Sequence, residues 1–303
     1  MIVHLFFLLV LPCLFIGVIN RVKSLCAGRQ GPPVIQPFFD IGRLFHKGQV
    51  ISSTTSFIFQ IAPSVNLATI VLAGLLIPVG PCPAILGFNG DFILFAYLLA
   101  LGRFFSLLAA MDTGNSFEGM GASREATFSV WVEPAFFILL GTLAFISDQT
   151  SFGGIFVALQ HYNPWSNLII TLGLVALFIL ILVEGCRMPV DDPNTHLELT
   201  MIHEVMVLDH SGPDLGLILS ASAMKMVVLG LLIADLLIPS GLPGWLTLLA
   251  TGGALFFIAV VIGLLESSMA RLRMVHVPQF ILVATSIGLL ILSIAIFSQG
   301  GPG

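Results

Sequence analysis

"SNLIITLGLVALFILILVEGCRMPVDDP", residues 166–193, joins two kinds of chain in one line. From Ser166 to Val183 no residue is charged. Wound as an α-helix, residues 166–184 reach about 28 Å, close to the thickness of a bilayer's hydrocarbon core. Then Glu184, Arg187, Asp191 and Asp192 arrive together, with Pro189 and Pro193 among them to break regular helix. The run 184–214 holds eight charged residues, seven of them acidic, in a chain of 303 residues that is only 9% charged. Three of the seven histidines, His196, His203 and His210, fall there too.

The apolar pattern repeats along the chain. Hydrophobic residues make up 57% of the sequence and the mean hydropathy is +1.07, against roughly 45–50% apolar usage in soluble domains. Eight windows are long and apolar enough to span: 1–20, 57–79, 91–111, 125–147, 166–184, 215–238, 243–265 and 277–298. The expectation is an all-α polytopic membrane protein, eight helices in one bundle and one domain. The first window lacks a basic segment before it, so it reads as a retained helix rather than a cleaved signal.

Basic residues orient the bundle. The stretches after windows 1, 3, 5 and 7 (21–56, 112–124, 185–214, 266–276) hold nine Lys or Arg, and those after windows 2, 4 and 6 hold none. This positive-inside bias puts the four basic loops in the cytoplasm and both termini outside; the expected location is the inner membrane of a prokaryote. Eleven basic residues, thinly spread, exclude a nucleic-acid partner. Cys13, Cys26, Cys82 and Cys186 form no CxxC pair, so spacing offers no iron–sulfur or zinc ligand set. No nucleophile triad, phosphate-binding loop or cofactor fingerprint is present, and the chain reads as lacking an autonomous active site.

The loops carry finer expectations. "FFDIGRLF" in the first basic loop forms an amphipathic turn on the membrane surface. In the third, a helix restarts near Asp192–Pro193 or Thr195–Glu198, runs through residues 196–210, and stops at Gly212–Pro213. Wound at 100° per residue, it places His196, Thr200, His203 and His210 on a polar face, and Glu198 and Asp209 on the apolar side. The histidines lie seven apart, about 10.5 Å along a helix, so no two share a metal ion from it.

Arg103, Glu133, Lys225, Asp235 and Glu266 lie in or near the apolar windows. A charge at a helix centre costs roughly 2.5–3.5 kcal/mol on insertion scales, so such groups face a bundle interior or a wet cavity. Asp235 and Glu266, near window ends, have snorkelling to the interface as an equal alternative. Ionisable groups in series through a bundle take up and pass protons.

"EGCRMPVDDPNTHLEL", residues 184–199, resembles the fifth-to-sixth-helix loop of the subunit 1 family of respiratory complex I, through Glu184, Arg187, Pro189, Asp191, Pro193, Glu198 and Leu199. "RQGPPVIQPFFDIGRL", residues 29–44, is similar to that family's first loop through Arg29, Gly31, Pro32, Gln36, Pro37, Asp40, Arg43 and Leu44. Arg124 and Glu133 keep the family's spacing. The family's acidic loop run is replaced here by Asn194–Glu198, and the first loop is shorter than in quinone-reducing members; both weigh against a bound quinone. "ALGRFFSLLAAMDTGNSFEGMGASREATFSVWVEP", residues 100–134, looks closer to the membrane subunit of formate-hydrogenlyase-type, group 4 NiFe-hydrogenases.

The resemblance implies a membrane-anchoring, proton-coupling subunit of an energy-converting oxidoreductase. It implies a NiFe centre and iron–sulfur clusters on hydrophilic large and small subunits at the cytoplasmic side, and antiporter-like membrane subunits laterally. Proton coupling would run through Glu133, Glu184, Asp191, Asp192, Glu198, Lys225 and Asp235, with Arg103, Arg124 and Arg187 as charge partners. Arg29, Gln36, Asp40, Arg43, His196, His203 and Glu204 would meet the soluble module. Two rivals are a quinone-site subunit of an NADH:quinone oxidoreductase and a stand-alone ion-coupled transporter, for which no internal repeat is evident.

Overall fold

In lipid no water satisfies backbone N–H and C=O groups, so a chain this apolar crosses as helices whose hydrogen bonds close within each segment. A computed structural model describes residues 1–160, 165–191, 202–239 and 241–299. Among them there are α-helices and 3-10 turns but no strand. The helices are α1 (Ile2–Leu9), α2 (Leu11–Cys26), α3 (Gln36–Phe45), α4 (Phe57–Leu75), α5 (Asp91–Asp112), α6 (Ser116–Ser147), α7 (Phe152–Gln160), α8 (Ser166–Glu184), α9 (Gly212–Leu237), α10 (Gly244–Ser268) and α11 (Val277–Gln299). With α1 and α2 taken as one interrupted helix, eight are long and apolar enough to span.

Six of these close a ring in which each helix packs on the next: α4, α5, α6, α11, α8, α9 and back to α4. The pair α2 and α10 packs on the outer side of α9. Thus α9 is the most enclosed span, with 67% of its window buried against 28% for the last. Between helices in lipid, close van der Waals packing replaces the hydrophobic effect, and small residues permit it. Gly102 is such a residue: a Cβ there would lie 2.6 Å from Thr69 Oγ1 across the α4/α5 seam.

Polar turns carry two spans beyond their apolar windows. Asn115 accepts the Phe117 N–H at 3.0 Å and caps α6, so Glu118 and Arg124 lie on a helix where the sequence suggested a loop, and Glu125, expected to begin the span, lies well inside it. Arg21 and Lys23 likewise ride on the last turns of α2. The first loop does hold an amphipathic helix, α3, which packs on α9 and α2. The nine-residue α7 matches none of the eight windows; Asp91 Oδ1 accepts the Phe152 N–H at 2.9 Å and anchors its start.

The third loop departs from the sequence reading. Its expected caps near Asp192–Pro193 and Thr195–Glu198 lie outside the described residues. Of the expected helix over 196–210, residues 196–201 lie outside the described residues, and within 202–210 only residues 204–207 wind, as a single 3-10 turn. Gly212–Pro213 does not end a helix but begins α9, with proline in the first turn where its missing N–H costs nothing. Without continuous helix the two-sided pattern lapses: Asp209 is exposed, and His210 is buried with its ring stacked on Phe59 at 3.9 Å.

Candidate ion-coupling site

Arg103 points from α5 into the ring, its side chain only 9% exposed. A guanidinium there needs anionic acceptors for its fork of donors, and three carboxylates supply them. Nε lies 3.2 Å from Glu125 Oε1, Nη1 lies 3.0 Å from Glu133 Oε1, and Nη2 bonds Glu184. Glu125 and Glu133 are eight residues apart on α6, which turns them only about 80° from each other. Glu184 closes α8, where the helix dipole disfavours an anion. It is held by a second cation: Lys225 Nζ, halfway along α9, sits 3.1 Å from its Oε2.

The third loop plugs into this cluster. Asp191 Oδ2 accepts the backbone N–H groups of Ile202 and His203, each at 3.2 Å, and Oδ1 pairs with Arg271 at 3.0 Å. This clip leaves His203 Nε2 3.1 Å from Glu125 Oε2 and Nδ1 3.7 Å from Asp191 Oδ2. The approach depends on Gly121, one turn before Glu125, where a Cβ would lie 2.3 Å from Val205 and 2.9 Å from Met206. A continuous series results: Asp191, His203, Glu125, Arg103, Glu184, Lys225, with Glu133 as a branch.

Charge tunes the loop end of the series. Burial opposes ionisation of Asp191, but its contacts with His203 and the Arg271 cation outweigh that and hold its carboxyl below the usual range. Burial opposes the His203 imidazolium as well, and the Cys186 sulfur, the Glu125 carboxylate and the Asp191 carboxylate more than offset it, lifting its pKa well above the ordinary value. His210, enclosed without such partners, is pushed down to about 4 by burial.

A cavity of about 370 Å3 opens beside the series. Apolar side chains such as Ile16, Ile70 and Leu99 line one part, and Arg103, Glu125, His203 and Lys225 line another. Among the described residues no group of three or more His, Cys, Asp or Glu side chains converges as a metal site.

The sequence-predicted residues divide accordingly. Arg103, Glu133, Glu184, Asp191 and Lys225 come together. Arg187 instead joins a separate buried group, 3.4 Å from Glu266, which also pairs with Lys23 at 2.7 Å. Glu266 therefore does not snorkel; its side chain is fully enclosed. Nor does Asp235: among the described residues its Oδ2 is buried without a hydrogen-bond partner, ten residues beyond Lys225 along α9. Arg124 is half-buried on α6 but, nine residues before Glu133, faces the opposite side of the helix. Gln36, Asp40 and Arg43 form a surface network on α3, and Arg29 is exposed before it. Glu204 is half-buried beside the cavity. Asp192, His196 and Glu198 lie outside the described residues. The residue missed was Glu125, at the margin of an apolar window, although its eight-residue spacing from Glu133 was the available signal. His203, expected to face a partner, sits inside the network.

Against this geometry stand the comparisons with known proteins. Residues 1–297 match the family described as NADH dehydrogenase. The chain belongs to the NADH dehydrogenase family. Within it, the chain is 32% identical to Hydrogenase-4 component C of Escherichia coli (strain K12), over 77% of this chain and 73% of that one. It is 28% identical to Formate hydrogenlyase subunit 4 of the same organism, over 87% of each. An NADH-quinone oxidoreductase subunit of Cytophaga hutchinsonii is 26% identical over 69% of this chain and 65% of its own. The resemblance to complex I subunit 1, nearer to the hydrogenase branch, is borne out. A chain of the membrane-bound sulfane sulfur reductase, an archaeal respiratory membrane complex, superposes with a TM-score of 0.83 over 97% of both chains. At 20% identity that likeness speaks for the shared fold.

Proposed function

We propose that this member of the NADH dehydrogenase family is the membrane-anchoring, proton-coupling subunit of an energy-converting oxidoreductase of the hydrogenase or formate-hydrogenlyase kind. One observation carries the reading: an unbroken run of ion pairs leads from Asp191 in the third loop, along one wall of the cavity, to Lys225 in mid-helix, and branches to Glu133 on the flank of the bundle. Groups so close share and pass protons when a neighbouring charge changes. The relatives above are named as components and subunits of larger enzymes, which supports redox centres on hydrophilic partners at the basic, cytoplasmic end. Asp192, Glu198 and Asp235 stay in the proposal as further proton-carrying groups, and Arg124 and Arg187 as charge partners. Arg29, Gln36, Asp40, Arg43, His196 and Glu204 would meet the soluble module, with His203 touching it through the loop it anchors.

Glu133 indicates where membrane partners sit. Its side chain is 44% exposed on the flank of an apolar span, beside exposed Val130. A carboxylate left to lipid there is costly, so a polar group of a lateral subunit supplies the cover. Purification from native membranes in mild detergent tests the reading. It should bring down a stoichiometric complex with iron, labile sulfide and nickel; a chain recovered alone, carrying out transport by itself, rejects it.

A second reading has the cavity in its favour. At about 370 Å3, mostly apolar with a few polar groups, it falls within the range of small-molecule sites. Asn20, Asn66 and His210 would face the ring of a quinone there. Quinone-dependent turnover of the complex, abolished by filling the cavity with Ala221→Trp, would move the assignment to a quinone-site subunit.

A further inference from the structure

The layer formed by Arg103, Glu125 and His203 has a space on each side. The 370 Å3 cavity touches all three residues, and so does a second void of about 10 Å3, which also touches Glu184. The smaller void is about the size of one water site. The three side chains are thus the partition between a cavity and the interior of the helix ring.

His203 is the member of this partition whose two ring nitrogens face two different carboxylates. Among the described residues, Arg103, Lys225 and Arg271 pair with the carboxylates Glu125, Glu133, Glu184 and Asp191. Among the described residues three basic side chains thus face four carboxylates, and a protonated His203 matches the fourth. The ring is placed for transfer, because Nε2 meets Glu125 at hydrogen-bond distance while Nδ1 faces Asp191 across 3.7 Å without a hydrogen bond. The charged and titratable groups around it are Glu125 from α6, Arg103 from α5, Lys225 from α9, and Cys186 and Asp191 from the loop after α8. Glu204 follows it in its own loop.

We infer that His203 is a proton gate, carrying one proton at a time from the cavity side of the partition to Glu125 and thereby into the Arg103 network. This rests on the ion-coupling reading above and names its entry point. In the forward step the Nε2–H bond breaks and an O–H bond forms on Glu125 Oε2. The imidazolium and carboxylate become a neutral imidazole and a neutral acid. Glu125 then grips Arg103 less strongly, which frees Arg103 to favour Glu133 and Glu184. The neutral ring keeps its Nδ1–H and is bare at Nε2; a half-turn about the Cβ–Cγ bond swings Nε2 away from Glu125 to the cavity side, where it takes up the next proton before turning back. Gating follows from the geometry: the ring bridges two carboxylates, reloads only when Nε2 is turned to the cavity side and delivers only when Nε2 is back at Glu125.

The intact complex in sealed vesicles provides the test, read as protons moved per electron transferred across a range of pH. The ratio is expected to be lost in His203→Ala and restored by imidazole added to the buffer, which the adjoining cavity admits. In His203→Lys, a fixed cation, the loss should persist at every pH. An unchanged ratio in His203→Ala overturns the gate. A ratio that is lost, indifferent to imidazole and unaltered in pH profile in His203→Gln, also overturns it and leaves a structural role. Glu184→Gln separates the two claims: if it uncouples while His203→Ala does not, the gate alone fails. If neither variant changes the ratio, the coupling reading fails with it. Should the His203 variants not assemble, 15N NMR of the histidine-labelled wild-type complex decides. A protonated ring at neutral pH supports the gate; a neutral one overturns it.

Discussion

At Arg103 one guanidinium answers three carboxylates, and the whole network depends on that fork. A buried pair broken by removing one partner costs about 3–5 kcal/mol, because the remaining charge is left enclosed. Arg103→Ala removes a partner from Glu125, Glu133 and Glu184 at once and leaves Glu125 to His203 and Glu184 to Lys225, so the purified chain is expected to lose stability of about that order, seen as a lower unfolding temperature in detergent. Arg103→Lys should recover only part, since an ammonium cannot meet three carboxylates in a plane. The loop-end pair has its own pH signature. The carboxyl of Asp191 is held low, so its contribution is present above about pH 3.9 and is lost only as pH falls through its lower folded value. His203 is held high, so its contribution is complete below about pH 6.5 and fades as pH rises through its raised folded value. Hydrogen exchange at the Ile202 and His203 amides, corrected for intrinsic rates, should therefore show protection from weakly acidic to neutral pH and a decline in alkali. A gain of protection in alkali would contradict the ion-pair account of this clip.

At the scale of elements, the third loop meets α6 only because residue 121 has no side chain. Val205 and Met206 fill the space that a Cβ would take, and the Ile202 carbonyl oxygen lies 3.0 Å from it. Gly121→Val overpacks this seam and is expected to cost about 1–3 kcal/mol while lifting His203 away from Glu125. Faster exchange of the Ile202 amide, with α6 still protected, would report it; an unchanged loop would show that the seam has room to spare. This seam also marks what the sequence could and could not reveal. The spans were legible because lipid demands about twenty apolar residues per crossing, a simple requirement. The network was half legible: Arg103, Glu133, Glu184 and Lys225 stood out as charges in apolar runs. Glu125 did not, because it is the first residue of the window 125–147, where a charge reads as the polar edge of a span rather than as part of its interior. The third loop misled because a helical wheel describes a helix, and residues 204–207 make only one 3-10 turn, held in place by Asp191 rather than by their own periodicity.

For the whole molecule, the ring of α4, α5, α6, α11, α8 and α9 gathers charges at its basic end while its flanks stay apolar. From the distribution of Lys and Arg we propose that this end faces the cytoplasm. Cys26, exposed at the end of α2, gives a direct reading. In a variant retaining only this cysteine, a membrane-impermeant maleimide should label inverted vesicles and spare intact cells; labelling of intact cells would reverse the topology. The central claim, that electron transfer in a partner drives proton movement through the Arg103 network, is tested most directly by reconstituting the purified complex in sealed vesicles. Protons moved and electrons transferred are then measured together, in the wild type and in Glu184→Gln. The account predicts coupled acidification in the wild type and a ratio approaching zero in the variant. An equal ratio in both would contradict it.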